Sequence, residues 1–249
     1  MFDLFRNICS RRWCIATPLL CLFISLLVGS CQSKPKKVDV LREEKRVKDS
    51  VALARAQMSV AYADSLLPCL QQEADSLLKL FRYEKNEQWE DHGRYVHRLL
   101  QTSQNTQRNY LQPVLQDNGV LSMQSFYYGS RAIEHHTVKL SAGEVWVAKE
   151  GSNHTFEAEG IHEIVTIQGD DALQLLRFIA EYQHDRVLVT LQGKQKATYY
   201  LQKNEKQALT DTYHLALVMH DILTLEQNVK VSNRQIEALK LRRDGRNNL

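Results

Sequence analysis

Cysteine is scarce in this chain, and its few copies lie almost entirely at one end. Of the five cysteines in 249 residues, four fall within the first 31 positions, and only Cys69 lies beyond them. A single thiol cannot form a disulfide within its own chain. The folded part is therefore expected to depend on core packing, for which about 218 residues are enough.

An excess of either charge is also absent. The chain has 32 Lys and Arg against 29 Asp and Glu, a formal net charge of +3. Three of the arginines and one aspartate lie in the first thirty residues, so the remainder is close to neutral. A nucleic-acid partner is not expected, because it requires a strongly basic face.

Motifs of catalytic and metal sites are missing as well. The sequence contains no phosphate-cradling glycine loop, nucleophile elbow or paired-cysteine site. His162-Glu163 lacks the second histidine of a helical zinc-protease motif, and the adjacent His135 and His136 would point to opposite faces of a predicted strand. We therefore predict no catalytic residue, no metal, no cofactor and no enzymatic activity.

The one long apolar run, residues 14–28, comes directly after a basic stretch and is followed by Gly29 and Ser30. That order is typical of an export signal, which we predict over residues 1–30. The alternative, a transmembrane anchor, is disfavoured because a span needs about 20 apolar residues and this shorter run contains Pro18.

The segment 27–31, Leu-Val-Gly-Ser-Cys, resembles the processing site of bacterial lipoproteins. The resemblance implies cleavage before Cys31, diacylglycerol on its sulfur and a palmitate-type acyl chain on the new amino group. Several acyl chains anchor a protein stably in a lipid bilayer. Gln32 is not the aspartate that retains many such proteins in the inner membrane, so we expect a lipid-anchored protein of the outer membrane. The periplasmic face is favoured over the cell surface.

Two segments have the periodicity of long helices. Residues 38–88 contain no glycine and one proline, Pro68, and residues 204–243 contain neither glycine nor proline. Apolar or small residues recur in each at steps of three and four, as in a heptad seam, with a kink or break expected at the proline. We predict that the two helices pair with each other; the alternative is that each dimerises with a copy of itself, giving a homo-oligomer.

The region between them has the short alternating runs of strands. Asn118-Gly119 indicates a hairpin, and Pro113 predicts that the first hairpin strand lies at a sheet edge. A short helix is expected to be capped by Asp170 or Asp171. Its predicted buried residues are Ala172, Leu176 and Ile179.

The predicted fold class is α+β, a long antiparallel helical hairpin forming a coiled-coil stalk, with an inserted β-rich head domain carrying one short helix. The predicted segments are the signal peptide (1–30), a lipidated spacer (31–37), the N-terminal stalk helix (38–88), the head (89–202), the C-terminal stalk helix (203–243) and a tail (244–249).

Aromatic residues on the predicted head strands give the main indication of a ligand site. Adjacent pairs such as Tyr127-Tyr128 and Tyr199-Tyr200 must place one ring on each face of a sheet. The outer rings are candidate ligand contacts, namely Tyr128, Trp146 and Tyr200. The alternative is that strand aromatics form the core.

Three segments resemble the Asp-Ser-apolar O-glycosylation site of exported proteins in Bacteroides-type bacteria. They make Ser50, Ser65 and Ser76 candidate glycosylation sites, although a helical repeat alone could favour the same pattern. Together with the Cys31 segment, the predicted stalk, Tyr127-Tyr128-Gly129 and residues 211–215, they make the chain similar to the small coiled-coil lipoproteins of these bacteria, which carry no established activity.

The expected function is that of a non-enzymatic structural or interaction module of the cell envelope, held to the lipid bilayer through Cys31 and binding an envelope protein. One alternative is a carbohydrate-binding lipoprotein of a glycan-uptake system, indicated by the strand aromatics. Another is a chaperone-like assembly factor that uses the helices as a clamp.

Overall fold

The computed structural model describes residues 37–85, 91–100, 107–157 and 160–247. Within these ranges lie three helices and ten strands. The helices are α1 (Lys37–Leu78), α2 (Gly169–Glu181) and α3 (Lys203–Asn247). The strands are β1 (Phe81–Glu84), β2 (Arg94–His97), β3 (Tyr110–Gln116), β4 (Leu121–Gly129), β5 (Thr137–Ala142), β6 (Val145–Glu150), β7 (Ser152–Glu157), β8 (Ile161–Gln168), β9 (Leu188–Gln192) and β10 (Lys196–Tyr200).

The predicted long helical hairpin is wrong. Both long helices form, but the main contacts of α3 are with α2, β3 and β2, and no long hairpin of α1 and α3 is present among the described residues. The physical reason is that a heptad pattern specifies an apolar face without specifying what covers it. In α3, Leu209, Leu215 and Ala216 are buried in the same core cluster as the strands. The fold is instead a mixture of helices and two antiparallel sheets.

Helix α1 differs from its prediction in two respects. It continues through Pro68 without the break that was one of the two expected outcomes, and it ends at Leu78, because residues 81–84 pair with β2 as strand β1. Leu77 and Leu78 at its end pack against the core cluster. No helix in the described ranges has the length and apolar character to cross a bilayer.

The six-stranded sheet has the order β1-β2-β3-β4-β8-β7. The predicted hairpin at Asn118-Gly119 is confirmed: it joins β3 to β4, and Gly119 has the positive φ of +84° that the turn requires. Strand β3 is not an edge strand, since β2 flanks it. However, β2 pairs only with residues 115 and 116 of β3. Pro113 lies outside this pairing, so its missing N–H leaves no hydrogen bond to β2 unmade.

The four-stranded sheet has the order β10-β9-β5-β6. Alternate residues of both sheets point into one core, as the period of two requires. These inward residues include Met123, Val165 and Ile167 from the six-stranded sheet and Val138, Leu140, Val189 and Leu191 from the four-stranded sheet.

Helix α2 joins the two sheets, because it packs on β4 and β8 of the larger sheet and on β6 of the smaller one. Its predicted core residues Ala172, Leu176 and Ile179 are all buried, as expected. The predicted cap is wrong: Gln168 is the N-cap, and the two aspartates lie within the first turn, where their charge still favours the helix dipole.

Replacing Pro68 with alanine is expected to stabilise the protein. An interior proline lacks the helical N–H donor and costs about 3 kcal/mol, while it restricts the unfolded chain by about 1 kcal/mol. Pro68→Ala should therefore raise the free energy of unfolding by about 2 kcal/mol, measured by urea denaturation followed by circular dichroism at 222 nm. Gln71→Ala, at an exposed position of the same helix, is the control, and equal stability of the two variants would contradict the expectation.

Candidate functional site

The three predicted contact residues lie on outward faces of the two sheets. Trp146 pairs with Ser141, Ser141 with Leu188, and Leu188 with Tyr200, so one row crosses the four-stranded sheet from Trp146 to Tyr200. Trp146 is 59% exposed and Tyr200 51% exposed. The alternative that strand aromatics form the core therefore does not hold for these two rings. The paired neighbours Tyr127 and Tyr199 do pack against the core.

A cationic side chain lies over each of the two exposed rings on the four-stranded sheet. The Lys139 Nζ lies 4.6 Å from the centre of the Trp146 ring, and the Arg186 guanidinium carbon lies 4.3 Å from the centre of the Tyr200 ring. Both distances are within the range of a cation–π interaction. We call the outward side of this sheet, which carries these four side chains, the cationic face.

Tyr128 belongs to a different surface, on the outward side of the six-stranded sheet. It lies in one row with His162 and Phe156, with ring centres 5.0 Å apart at each step. In a neighbouring row, Tyr110 stacks on Phe126 at 4.3 Å. We call these five residues together with His154 the aromatic strip.

The sequence analysis did not identify the aromatic strip as a unit. Phe156 is 41% exposed, and every residue of its strand β7 is exposed. A local signal for the strip existed, since His154 and Phe156 alternate along one strand. The pairing of β7 with β8 and of β8 with β4 is not encoded locally, and it is this pairing that brings the rings together.

A fully buried polar centre surrounds Glu163 on β8. Its carboxylate accepts the backbone N–H groups of Ile133, Glu134 and His135 at 2.7–2.8 Å and the His135 Nδ1–H at 2.7 Å. Glu134 has a φ of +51°, and a left-handed residue within a run of successive N–H donors is typical of a backbone anion nest. Glu163 thus fixes the loop between β4 and β5.

Two further residues donate hydrogen bonds to the loop between β4 and β5. The Asn153 side-chain amide donates to the His135 carbonyl at 2.6 Å, and the Gln195 N–H donates to the Ile133 carbonyl at 3.3 Å. A side chain at Gly193 would collide with the carbonyls of Ile133 and Glu134, so only glycine permits this close approach. The prediction that His135 occupies an ordinary strand position is wrong.

His135 also connects Glu163 to Ser125 on β4. Because the carboxylate can only accept, His135 Nδ1 carries the proton, and Nε2 accepts the Ser125 hydroxyl at 3.3 Å. The order of hydroxyl, imidazole and carboxylate is that of hydrolase triads. All three side chains are fully buried, so in this conformation a substrate cannot reach Ser125 Oγ.

The protonation states of this pair follow from its environment. Burial lowers the pKa of His135 below its ordinary value, and the hydrogen bond and charge of Glu163 oppose this only in part. Burial pushes the pKa of Glu163 upward, but the hydrogen bonds from His135 and the three backbone N–H groups outweigh it and hold that pKa below its ordinary value. The pair is thus a neutral imidazole beside a carboxylate.

A second buried pair joins β2 to α3. His97 Nδ1 accepts the Leu99 N–H at 3.1 Å, so Nε2 carries the proton and donates to Asp211 at 3.1 Å. Burial lowers the pKa of His97, and Asp211 opposes that shift only in part. The two residues are 114 positions apart, and no sequence pattern indicates their contact.

The remaining predicted sites lie on or before α1. Ser50, Ser65 and Ser76 are all exposed on that helix; the hydroxyls of Ser65 and Ser76 donate to the carbonyls of Tyr62 and Gln72. Cys31 lies outside the described residues. Within the described ranges, no group of three His, Cys, Asp or Glu side chains is arranged to hold a metal ion.

Glu163→Gln is expected to lower the free energy of unfolding by about 3 kcal/mol. Removing one charged partner from a buried hydrogen-bonded set leaves the other groups unsatisfied, and the new amide N–H₂ would face other donors. Ser125→Ala should cost only about 1 kcal/mol, because His135 loses a single neutral partner. Urea denaturation at pH 7 measures both values. Glu157→Gln, an exposed carboxylate on the neighbouring strand, is the control, and an equal effect there would refute the role of Glu163.

Stability is expected to decline as the pH falls below about 6.5. His97 and His135 have folded pKa values below the ordinary 6.5, so the unfolded chain binds more protons between those values and 6.5. Glu163, whose folded pKa lies below the ordinary 4.5, adds a further loss as the pH falls below 4.5. Denaturation from pH 8 to 4 should show both phases. His97→Gln should reduce the loss of stability in the first phase, below about pH 6.5, whereas the exposed control His136→Gln should leave that loss unchanged.

No family model, no curated protein and no solved structure matches this chain. Its function is therefore inferred from the geometry of the described residues and from the sequence pattern that precedes them.

Proposed function

We propose that this chain is a non-enzymatic binding module of the bacterial cell envelope, anchored in the outer membrane through an acylated Cys31. The observation that carries the binding role is the aromatic strip, two neighbouring rows of ring contacts on the outward side of the six-stranded sheet. The anchor is supported by the order of basic, apolar and small residues before Cys31. We also propose, from the sequence resemblance described above, that the chain is one of the Bacteroides-type lipoproteins.

A binding role is supported by the way the rings are displayed. Aromatic side chains contribute a large apolar area at low cost in conformational entropy, and clustered exposed rings mark contact sites. Here Tyr128, His162 and Phe156 hold each other in place through ring contacts at 5.0 Å. The strip is therefore ordered before any partner binds, which lowers the entropic cost of association.

A non-enzymatic role is supported by the location of the titratable groups. The two histidines that have a carboxylate partner and are buried, His97 and His135, each donate to that carboxylate and lie inside the fold. General acid–base chemistry needs such a group within hydrogen-bond reach of a substrate. Both pairs instead connect elements that are distant along the chain, which is a structural task.

The proposal predicts an envelope partner whose capture depends on both the anchor and the strip. Cross-linking in intact cells followed by pull-down should recover the partner with the wild-type chain. Cys31→Ala should move the chain from the membrane fraction to the soluble fraction and abolish the cross-link. The double variant Tyr128→Ala and Phe156→Ala should remain in the membrane fraction but recover at least about fivefold less partner, since each aromatic ring contributes on the order of 1 kcal/mol.

The control for the strip is Tyr62→Ala, which removes an exposed ring from α1. Undiminished capture by the double variant would rule out the strip as the binding site. Continued membrane association of Cys31→Ala would rule out the anchor.

A second candidate function is glycan recognition, and the cationic face favours it. Trp146 and Tyr200 are both exposed and lie in one row across the four-stranded sheet. Rings presented in this way can stack on the C–H face of a sugar ring. A glycan ligand would place the chain among the carbohydrate-binding lipoproteins of an uptake system.

A further inference from the structure

The cationic face is built from three rows of side chains. The first runs from Trp146 through Ser141 and Leu188 to Tyr200, and the second contains Lys139, Thr190 and Thr198. Trp146 and Tyr200 stand on opposite edge strands, so three interstrand spacings, about 14 Å, separate their backbones. Between the two rings lie Ser141 and Leu188, with the hydroxyl groups of Thr190 and Thr198 in the next row. A surface with a ring at each end, about 14 Å apart, suits an extended chain better than a small compact ligand.

The charge of this face is predominantly positive. Lys139 and Arg186 lie beside the rings, and Lys196 stands in the third row. The acidic residue of the same rows is Glu150, at the edge on β6. An anionic ligand would therefore gain favourable electrostatic energy over most of the surface.

The ring-bound cations lack an acidic partner, in contrast to several other cations of the fold. Lys149 pairs with Asp171 at 2.6 Å and Lys194 with Glu134 at 2.6 Å. Neither Lys139 nor Arg186 forms a salt bridge within the part of the chain that the structure describes. The ring contacts hold their positions while their N–H donors stay available to an external anion.

We propose that the cationic face binds an acidic polysaccharide, with sugar rings stacked on Trp146 and Tyr200 and sugar carboxylates bound by Lys139 and Arg186. Carboxylates accept charge-assisted hydrogen bonds from both cations, and Ser141, Thr190 and Thr198 can bind hydroxyl groups between them. This inference rests on the second candidate function, glycan recognition, and narrows its ligand to the acidic class. It does not depend on the lipid anchor or on the aromatic strip.

The test compares a uronic-acid polymer with its uncharged counterpart. Full-length chain in detergent is titrated by isothermal calorimetry with polygalacturonate, with alginate and with fully methyl-esterified polygalacturonate, which keeps the sugar backbone but removes the charge. We expect binding to at least one of the acidic polymers, at least about tenfold weaker binding to the ester, and weakening by added salt. Poly-glutamate and oligo-thymidine are the non-sugar polyanions.

Variants separate the roles of charge and stacking. Lys139→Gln and Arg186→Gln should each weaken binding to the acidic polymer about tenfold, the loss expected for one charge-assisted hydrogen bond, and leave the weak binding of the ester unchanged. Trp146→Ala and Tyr200→Ala should weaken binding to both polymers. Lys230→Gln and Tyr62→Ala, exposed positions on α3 and α1, are the matched controls. A midpoint of thermal unfolding equal to that of the wild type shows that each variant is folded.

Several outcomes would overturn the inference. They are an absence of binding to both uronic-acid polymers, binding of poly-glutamate or oligo-thymidine as tight as that of the sugar polymer, and affinities unchanged by the four face variants. Equal binding of the ester and the acid would remove the acidic specificity while leaving glycan recognition intact. Failure of binding to every glycan would remove glycan recognition, and the anchored envelope module would still be judged by its own cross-linking experiment.

Discussion

The hydrogen bonds to the Glu163 carboxylate are the constraint on which the arrangement of the two sheets depends. The chain leaves the six-stranded sheet at Gly129 and enters the four-stranded sheet at Thr137, and the loop between them is fixed by Glu163 from β8. A fully buried carboxylate is tolerated only when its lone pairs are satisfied. Three backbone donors and one imidazole satisfy them here, so the loop has one conformation in which the charge is compensated.

This constraint determines which side chains face outward. The loop sets the residue at which β5 begins, and the period of two then assigns Val138 and Leu140 to the core and Lys139 and Ser141 to the outside. Trp146 and Tyr200 follow through the cross-strand register. A shift of one residue in the loop would exchange the two faces of β5 and remove both the core contacts and the cationic face. The hydrogen bonds to Glu163 thus determine which side chains lie on the outward side of the four-stranded sheet.

Local features of the fold could be predicted from the sequence, and nonlocal ones could not. The turn at Asn118-Gly119 and the apolar face of α2 are encoded within a few residues, and both are confirmed. The order of strands in the two sheets depends on pairings such as β4 with β8, which no local signal specifies. Helices α1 and α3 show the same limit, because their periodicity indicates a buried face and leaves open whether a helix or a sheet covers it.

The candidate surfaces show a similar division. Adjacent tyrosines guarantee one outward ring per pair, which is why Tyr128 and Tyr200 could be named from the sequence. The partner cations Lys139 and Arg186 could not, since Lys139 reaches Trp146 only through the β5–β6 pairing and Arg186 reaches Tyr200 only through β9 and β10. The Glu163 centre was missed for the same reason, because 28 residues separate it from His135.

The proposed lipid anchor would compensate for the weak affinity that is expected of the cationic face. Two ring contacts and two cations on an exposed face support only weak binding to one segment of a polymer, because little of the ligand is enclosed. A chain held at a membrane by several acyl groups is present among many copies in the same plane, and a polysaccharide repeats its epitope. Binding at a second copy is then effectively intramolecular, and avidity can exceed single-site affinity by about 10²–10⁴. An exposed, weakly binding face is therefore better suited to a lipid-anchored array than to a single copy in solution.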